Sequence, residues 1–372
     1  MQSVTPTVSL VRCASYGSPL RPALDAVLGP LGGLSAFVHP GQTVLLKPNL
    51  LTDRTPEQAV TTHPEVVRHL IRAVRELGAT PIVGDSPASA VKVATVLEKT
   101  GMRAVCDEER ATLVSLEQAG SDIVESGPYR FTIARAVREA DVVVNLPKVK
   151  THVLTTLTAA VKNMYGVVPG YQKAHLHCKH PSPADFGGLI TAIIRSVPPV
   201  LNIADGIVGM EGDGPSAGRP IALGFLAASS DAFALDRTLC AILGIPPRSV
   251  PYLRGLAHTP LPAVVGCLID TIRPASFALP STLRSRLTPA WLVKRLRPFL
   301  WFRPTIGPAC VFCGQCVRAC PAQALTQVVG RPPELLTQRC IGCCCCHEVC
   351  PVSAIRMTQS RLFNLIRRGA MP

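Results

Sequence analysis

The sequence has no run of 18 uninterrupted apolar residues, which argues against a membrane-spanning helix. Its first ten residues lack a basic stretch followed by an apolar one, so we expect no secretory signal peptide. Aromatic residues make up only 5% of the chain and no recognition module is visible, so the net charge of +14 alone does not predict nucleic-acid binding. We therefore expect a cytoplasmic protein without a nucleic-acid partner.

Nucleotide-binding signatures are also lacking. A glycine-rich stretch, Gly209 to Gly218, has neither the Lys-Ser/Thr ending of a phosphate-binding loop nor the spacing of a dinucleotide fingerprint. We interpret it as a tight loop that closes a pocket, with Glu211 and Asp213 as candidate polar contacts. Charged residues are scarce at 17% and apolar residues make up 47%, so the chain is expected to be globular throughout.

Cysteine is abundant instead: there are 15, and ten of them lie between Cys310 and Cys350. Ten cysteines at metal-ligand spacing indicate a reducing compartment rather than a disulfide framework. The other five are scattered through apolar or mixed stretches and are expected to pack as small apolar side chains. These five are Cys13, Cys106, Cys178, Cys240 and Cys267.

Two runs share the spacing C-x2-C-x2-C-x3-C-P, which is typical of bacterial ferredoxins with two 4Fe-4S clusters. In such a pair, the fourth cysteine of each run binds the cluster held by the other run. One cluster is therefore assigned to Cys310, Cys313, Cys316 and Cys350. The other is assigned to Cys340, Cys343, Cys346 and Cys320.

Zinc is the competing interpretation of these cysteines, but its sites use two separated pairs of ligands rather than four thiols in one run. Cys344 and Cys345 lie between ligands of the second run. They either fill space, or one of them is a substitute ligand or a reactive thiol.

The first two thirds of the chain alternate apolar runs with amphipathic patterns, which is typical of an α/β domain with a mostly parallel sheet and flanking helices. A small C-terminal α+β ferredoxin-like domain follows. The predicted strands are Thr43–Leu46, Pro81–Gly84, Val142–Leu146, Leu201–Ala204 and Leu223–Ala227. The predicted helices are Pro64–Leu77, Thr155–Tyr165, Asp185–Ile194 and Asp231–Leu243.

A basic, proline-rich segment separates the two domains, and from Thr271 to Ile306 it contains no acidic residue. We predict an α/β domain over 1–270, a linker over 271–307, a two-cluster ferredoxin domain over 308–358 and a basic tail over 359–372. With Trp291 and Trp301, residues 271–306 either make a peripheral membrane contact or pack against the ferredoxin domain.

Several stretches together resemble one family, domain of unknown function 362, in the form fused to a ferredoxin module. The matching stretches are 46–50 (LKPNL), 84–87 (GDSP), 145–152 (NLPKVKTH), 162–166 (KNMYG) and 204–212 (ADGIVGMEG). The second cysteine run, with His347 and Glu348, is similar to that family's pattern, and Cys344 departs from it. The resemblance implies an α/β domain with bound clusters and does not supply a reaction.

Polar residues recur at the carboxyl ends of the predicted strands, where open α/β sheets bind ligands. Lysines outnumber carboxylates among them, which favours a small anionic substrate. The predicted substrate-binding residues are Lys47, Asn49, Asp85, Asn145, Lys150, Lys162 and Asp205, with Ser86 beside them. The alternative is that these lysines are solvated charges in loops.

Catalytic roles are assigned to Lys148 and His152, which share one predicted loop with Lys150. A histidine in a loop is otherwise a surface residue. A further group, His175, His177, Cys178 and His180, has spacing that suits a metal but gives only a weak signal.

Two functions fit these features. The first is an iron–sulfur oxidoreductase that takes electrons from an external donor and passes them to an anionic substrate. The second is a non-catalytic electron carrier or assembly subunit that docks to a partner protein through its basic segment.

Overall fold

A ten-stranded sheet forms the centre of the large domain in a computed structural model that describes residues 6–88, 90–282 and 302–360. The strands of the described chain are β1 (Thr7–Arg12), β2 (Thr43–Pro48), β3 (Thr80–Asp85), β4 (Thr112–Ser115), β5 (Ser121–Ser126), β6 (Tyr129–Ala134), β7 (Val142–Leu146), β8 (Lys148–His152), β9 (Thr156–Thr158), β10 (Leu201–Glu211), β11 (Arg219–Ser229), β12 (Ala263–Gly266), β13 (Phe302–Ile306), β14 (Leu325–Thr326), β15 (Glu334–Leu335) and β16 (Ile355–Gln359).

Helices cover the sheet and complete the small domain. They are α1 (Leu20–Leu28), α2 (Pro64–Glu76), α3 (Val93–Lys99), α4 (Met102–Glu108), α5 (Arg135–Glu139), α6 (Ala160–Asn163), α7 (Gly170–Lys179), α8 (Pro183–Ser196), α9 (Ala232–Leu243), α10 (Ile269–Ile272), α11 (Gln315–Arg318) and α12 (Cys345–Glu348). Short 3-10 helices lie at Gly29–Leu31, Leu34–Ala36, Pro56–Gln58, Met164–Val167, Pro247–Ser249 and Pro251–Leu256.

The large sheet is mostly parallel, so the predicted fold class is confirmed. Its main order is β12-β1-β11-β10-β7-β2-β3-β4, and β8 pairs with both β10 and β9. The antiparallel pairs are β1 with β11, β10 with β11, and β8 with β9, whereas the other pairs of this sheet run parallel. Parallel strands place their carboxyl ends at one edge of the sheet, where ligands bind in open α/β folds.

Both faces of the sheet are buried, which explains the continuous apolar runs of its strands. In β2, Val44 and Leu46 belong to one hydrophobic core, and Leu45 between them belongs to the other. The α2 helix covers one face with its buried side chains, among them Val66, Leu70 and Val74. It begins after His63, whose Nδ1 accepts a hydrogen bond from the Glu65 backbone N–H.

Two local predictions are wrong. The segment predicted as one helix over Thr155–Tyr165 contains strand β9 before the short helix α6. Lys148–His152, predicted as a loop, forms strand β8, which pairs with β10 and with β9. β-branched threonines favour strand structure, and here pairing with β8 decides the conformation of β9.

The small domain pairs β13 with β16 and β14 with β15, and all five residues of β13 lie within the predicted linker. It contacts the large domain directly: Arg54 donates a hydrogen bond to the Cys350 carbonyl at 2.7 Å, and His347 Nε2 lies 3.1 Å from the Asp213 carbonyl oxygen. Most of the basic segment, including Trp291 and Trp301, and nearly all of the predicted tail lie outside the described residues.

Candidate functional site

Two cavities in the small domain are each lined by four spaced cysteines. One, of about 320 Å³, is lined by Cys310, Cys313, Cys316 and Cys350. The other, of about 330 Å³, is lined by Cys320, Cys340, Cys343 and Cys346, together with Cys344. Each set combines three cysteines of one run with the fourth cysteine of the other, which is the same grouping as the predicted ligand sets. We call them the first and second cysteine sets.

The thiols of both sets suit a cluster better than a single ion. They surround a cavity instead of meeting at one point, and a 4Fe-4S cluster takes four separated thiolates. Within residues 6–88, 90–282 and 302–360, no group of three or more His, Cys, Asp or Glu side chains is arranged to hold one metal ion. The fourth cysteines also share an environment: Cys320 Sγ and Cys350 Sγ each accept a backbone hydrogen bond, from Ala324 and Ala354.

A larger cavity, of about 700 Å³, lies where strands of the large sheet end and where the small domain contacts it. We call it the strand-end cavity. The large domain contributes Asn49, Leu51, Asp85, Ser86, Ala88, Lys150, His152, Thr158, Lys162, Asn163, Tyr165, Gly166, Lys173, Ala174, His177 and Pro215. The small domain contributes Ala319, Cys345, Glu348 and Val349.

One carboxylate of the lining is already paired. Asp85, the last residue of β3, forms a 2.7 Å ion pair with Lys47, which is fully buried. Its other oxygen accepts the Leu50 backbone N–H at 2.7 Å. Burial lowers the pKa of Lys47, and the charge of Asp85 opposes this. Asp85 therefore contributes little unbalanced negative charge to the cavity.

Three lysines line the strand-end cavity. Lys150 in β8 donates hydrogen bonds to Asn49 Oδ1 at 3.0 Å and to the Val60 carbonyl at 2.5 Å. Burial lowers its pKa to about 7. Lys173 in α7 donates to the Ser86 and Pro87 carbonyls, and burial lowers its pKa to about 8.

The third lysine, Lys162, is only half-buried and contacts aromatic rings. Its Nζ lies 4.9 Å from the Tyr165 ring centroid and 5.2 Å from that of Phe186. Among the described residues, no side chain or backbone group forms a hydrogen bond or ion pair with this ammonium. Such cation–π contacts stabilise a cation but do not satisfy its N–H donors.

His152 and Glu348 bring the two domains together at this cavity. His152 Nδ1 accepts the Leu154 backbone N–H at 2.9 Å, and its Nε2 lies 3.1 Å from Glu348 Oε1. Burial lowers the pKa of His152 to about 4 although Glu348 opposes the shift. Burial opposes ionisation of Glu348, but His152 and Lys162 outweigh it and lower its pKa to about 2. At neutral pH the histidine is therefore neutral and the glutamate charged.

Four predicted site residues do not line the strand-end cavity: Lys47, which pairs with Asp85 as described above, and Lys148, Asp205 and Asn145. Lys148 forms a buried 2.9 Å ion pair with Asp205, and Tyr16 donates a hydrogen bond to the same carboxylate at 2.8 Å. Asn145 donates to Asn202 Oδ1 at 2.8 Å and to the Ala160 carbonyl. These groups satisfy one another inside the large domain.

The histidine-rich stretch separates in the structure. His177 lines the strand-end cavity and stacks on Phe186 with ring centroids 4.3 Å apart, whereas His180 Nδ1 lies 2.9 Å from Asp185. Burial, followed by the charges of the second-set residues Cys343 and Cys320, raises the pKa of Cys178. The second cysteine set therefore lies close to α7.

Sequence reasoning did not assign Lys173, Tyr165, Cys345 or Glu348 to the pocket. Tyr165 and Glu348 belong to stretches that resemble the family. This resemblance is the sequence feature that could have pointed to them as site residues. Glu348 and His152 are far apart in the sequence, so only domain packing brings them together.

Comparisons with known proteins agree with this two-part organisation. The family model described as "Domain of unknown function (DUF362)" matches residues 44–241, and the model described as "4Fe-4S binding domain" matches residues 309–326. The thylakoid-associated protein sll1697 of Synechocystis sp. is 37% identical over 299 residues, which are 75% of this chain and 92% of that protein.

Solved structures are less similar. The lactate racemase apoprotein from Thermoanaerobacterium thermosaccharolyticum matches with a TM-score of 0.41 and 11% identity, over 65% of this chain and 57% of that chain. A protein from Thermotoga maritima matches with a TM-score of 0.37 and 13% identity, over 64% and 58%. The chain thus spans less than two thirds of either structure. No helix in the described parts of the chain has the length and apolarity needed to cross a membrane.

Proposed function

This chain belongs to the DUF362 family, and we propose that it is an oxidoreductase that binds two 4Fe-4S clusters and a small organic anion. One observation supports this above all: both domains line the strand-end cavity, with Lys150 and Lys162 from the large domain and Cys345 from the small one. Cys345 directly precedes Cys346 of the second cysteine set. A molecule in the cavity therefore lies beside the second set.

In this proposal the first cysteine set holds one cluster and the second set holds the other. Bound clusters of this type donate and accept single electrons. We propose an external electron-transfer protein as the partner that supplies or removes these electrons. We also propose a cytoplasmic location for the protein.

The charge balance of the strand-end cavity supports an anionic substrate. Lys150, Lys162 and Lys173 line it, whereas only two carboxylates do: Asp85, which is paired with Lys47, and Glu348, which lies 3.1 Å from His152. Ammonium groups suit carboxylate and phosphate groups. We therefore assign anion binding to the lysines of this cavity and a structural role to Lys148.

Lys150 is the residue of the lining best suited to supply a proton. Its pKa, lowered by burial to about 7, leaves both protonation states populated at neutral pH, as efficient general acid–base catalysis requires. His152, with a pKa lowered to about 4, is neutral there and accepts the Leu154 N–H through Nδ1. We assign His152 the role of positioning Glu348.

Anaerobic purification followed by iron and sulfide analysis tests the cluster count, and electron paramagnetic resonance of the reduced protein tests the substrate site. We expect about eight irons per chain. Within a panel of small organic anions, we expect at least one to change the spectrum. Lys162→Met should abolish that change, whereas Lys179→Met, at an exposed lysine of α7, should not.

Four irons per chain, or bound zinc, would contradict the two-cluster assignment. Eight irons with a spectrum that no anion changes would contradict the substrate site.

A second candidate function, an electron-transfer subunit without a substrate of its own, is favoured by a different observation. Cys313 of the first set is exposed, and apolar side chains around it are exposed too: Val311 by 55%, Phe312 by 44% and Val352 by 40%. Exposed Arg318 adds positive charge to this surface. An acidic electron-transfer protein would match it.

Salt-sensitive association with such a protein is expected for both candidates, because exposed charges are screened by salt. A change in the electron paramagnetic resonance spectrum of the reduced protein on addition of a small anion therefore distinguishes the two functions. Only the oxidoreductase function predicts such a change.

A further inference from the structure

Two oppositely charged groups line the strand-end cavity and form no hydrogen bond with the residues that the structure describes. One is the Lys162 ammonium, which lies over the Tyr165 and Phe186 rings. The other is the Glu348 carboxylate: the residue is 8% exposed, and its Oε1 has no hydrogen-bond partner among the described residues. His152 Nε2 lies at ion-pair distance, 3.1 Å, without forming an aligned hydrogen bond.

A buried polar atom without a hydrogen bond, such as Glu348 Oε1, is costly and rare in folded proteins. A carboxylate can only accept hydrogen bonds and an ammonium can only donate them. The two groups come from different domains, yet both line the same cavity. A ligand that satisfies both must therefore present an anionic acceptor to Lys162 and an N–H or O–H donor to Glu348.

The charge of the cavity lining decides whether an ammonium or a hydroxyl group is the better donor to Glu348. Lys150 and Lys173 also line the cavity, and Asp85 is paired with Lys47, so a ligand ammonium would face an excess of positive charge. A hydroxyl group donates a hydrogen bond without adding charge. The single ammonium without a hydrogen-bond partner in the described lining matches the single charge of a carboxylate.

We propose that the strand-end cavity binds a small hydroxylated carboxylic acid, with its carboxylate at Lys162 and its hydroxyl donating to Glu348. This rests on the proposed function in taking the cavity as the substrate site, and it adds the substrate class. Lys162 then attracts any carboxylate, whereas Glu348 distinguishes acids with a hydroxyl group from those without one.

Calorimetric titration of the anaerobic, iron-loaded full chain with matched pairs of acids tests the proposal. The pairs are butanoate with 2-hydroxybutanoate, and phenylacetate with mandelate. We expect the hydroxylated member to bind about tenfold more tightly or better, because hydrogen bonds to charged groups are stronger than those between neutral groups. 2-Aminobutanoate should bind more weakly than 2-hydroxybutanoate.

Two variants assign the contacts. Glu348→Met should abolish the preference for the hydroxyl group, and Lys162→Met should weaken both members of a pair by a similar factor. Glu334→Met, at an exposed glutamate of the same domain, is the control and should change neither value. If Glu348→Met fails to load iron, the wild-type pairs and Lys162→Met still decide the question.

Equal affinities within each pair in the wild type, a preference that survives in Glu348→Met, or tightest binding by the amino acid would each overturn the proposal. Failure of the proposed function has a different signature. Hydroxy acids would then bind preferentially, but no electrons would pass between them and the reduced or oxidised protein. Conversely, turnover of acids without any preference for a hydroxyl would overturn only the substrate class.

Discussion

Gly314 and Cys344 occupy the same position in the two cysteine runs and share one backbone conformation. Their φ and ψ angles are 69° and 4° for Gly314 and 68° and 2° for Cys344, and each directly precedes a four-residue helix. A positive φ favours glycine and costs other residues about 1–2 kcal/mol. The loop before each of these helices therefore requires a residue with positive φ, and in the second run that residue is Cys344.

This relationship predicts that Cys344→Gly retains the wild-type iron content. Glycine already adopts this conformation in the first run, so the loop should still place Cys343 and Cys346 around their cavity. Cys343→Ala should reduce iron from about eight to about four per chain. Iron and sulfide analysis of both variants checks this, and loss of half the iron in Cys344→Gly would identify Cys344 as a ligand.

Lys148 is expected to matter for stability and not for anion binding. Lys148→Met leaves the fully buried Asp205 without its ion-pair partner, and removing one member of such a pair costs about 3–5 kcal/mol. Arg21→Met is the control, because Arg21 pairs with Asp25 and Glu76 on the exposed surface, where such pairs contribute about 1 kcal/mol or less.

Urea unfolding followed by circular dichroism measures both Lys148→Met and Arg21→Met. A normal free energy of unfolding combined with lost anion binding in Lys148→Met would contradict this assignment. Lys148 would then be assigned to the substrate site, as the sequence predicts.

Stability should fall as the pH falls below about 6.5. The folded protein lowers the pKa of His152 from 6.5 to about 4, so the unfolded chain binds more protons in this range. From His152 alone, the free energy of unfolding should decrease by about 2 kcal/mol between pH 6.5 and about pH 5.

In His152→Gln, the free energy of unfolding should decrease by about 2 kcal/mol less over the same pH range, because glutamine does not titrate. His258→Gln, at an exposed histidine, should leave the pH dependence unchanged. Urea midpoints measured at several pH values provide the comparison. An unchanged slope in His152→Gln would show that His152 does not account for the loss.

Phe312 is predicted to contact an external electron-transfer protein. Phe312→Glu places a negative charge beside exposed Cys313, so reduction of the protein by an acidic flavodoxin should slow by about tenfold while its iron content stays the same. Val329→Glu is the matched control, since Val329 is 98% exposed on the same domain but does not line either cysteine cavity. Stopped-flow absorbance measures both rates, and equal slowing would contradict a specific surface at Phe312.

The sheet was the most predictable part of the large domain, because its central strands are buried on both faces. Val142–Leu146 was predicted with the bounds observed for β7, and Thr43–Leu46 lies within β2. Strand β8 was not predicted, because Lys148–His152 combines two lysines and a histidine and has no apolar run. Its pairing with β10, at Asp205 and Met210, comes from residues far along the chain.

By itself the sequence determined the fold class, the family and the presence of a 4Fe-4S binding domain, because strands buried on both faces and cysteine spacing are local patterns. Only the tertiary structure decided which lysines line a cavity and which are paired inside the domain. Lys148 and Lys150 are two residues apart in one strand, yet one meets Asp205 and the other lines the strand-end cavity. Packing of the small domain likewise places Glu348 beside His152, a contact that depends on residues remote in the sequence and therefore on no local pattern.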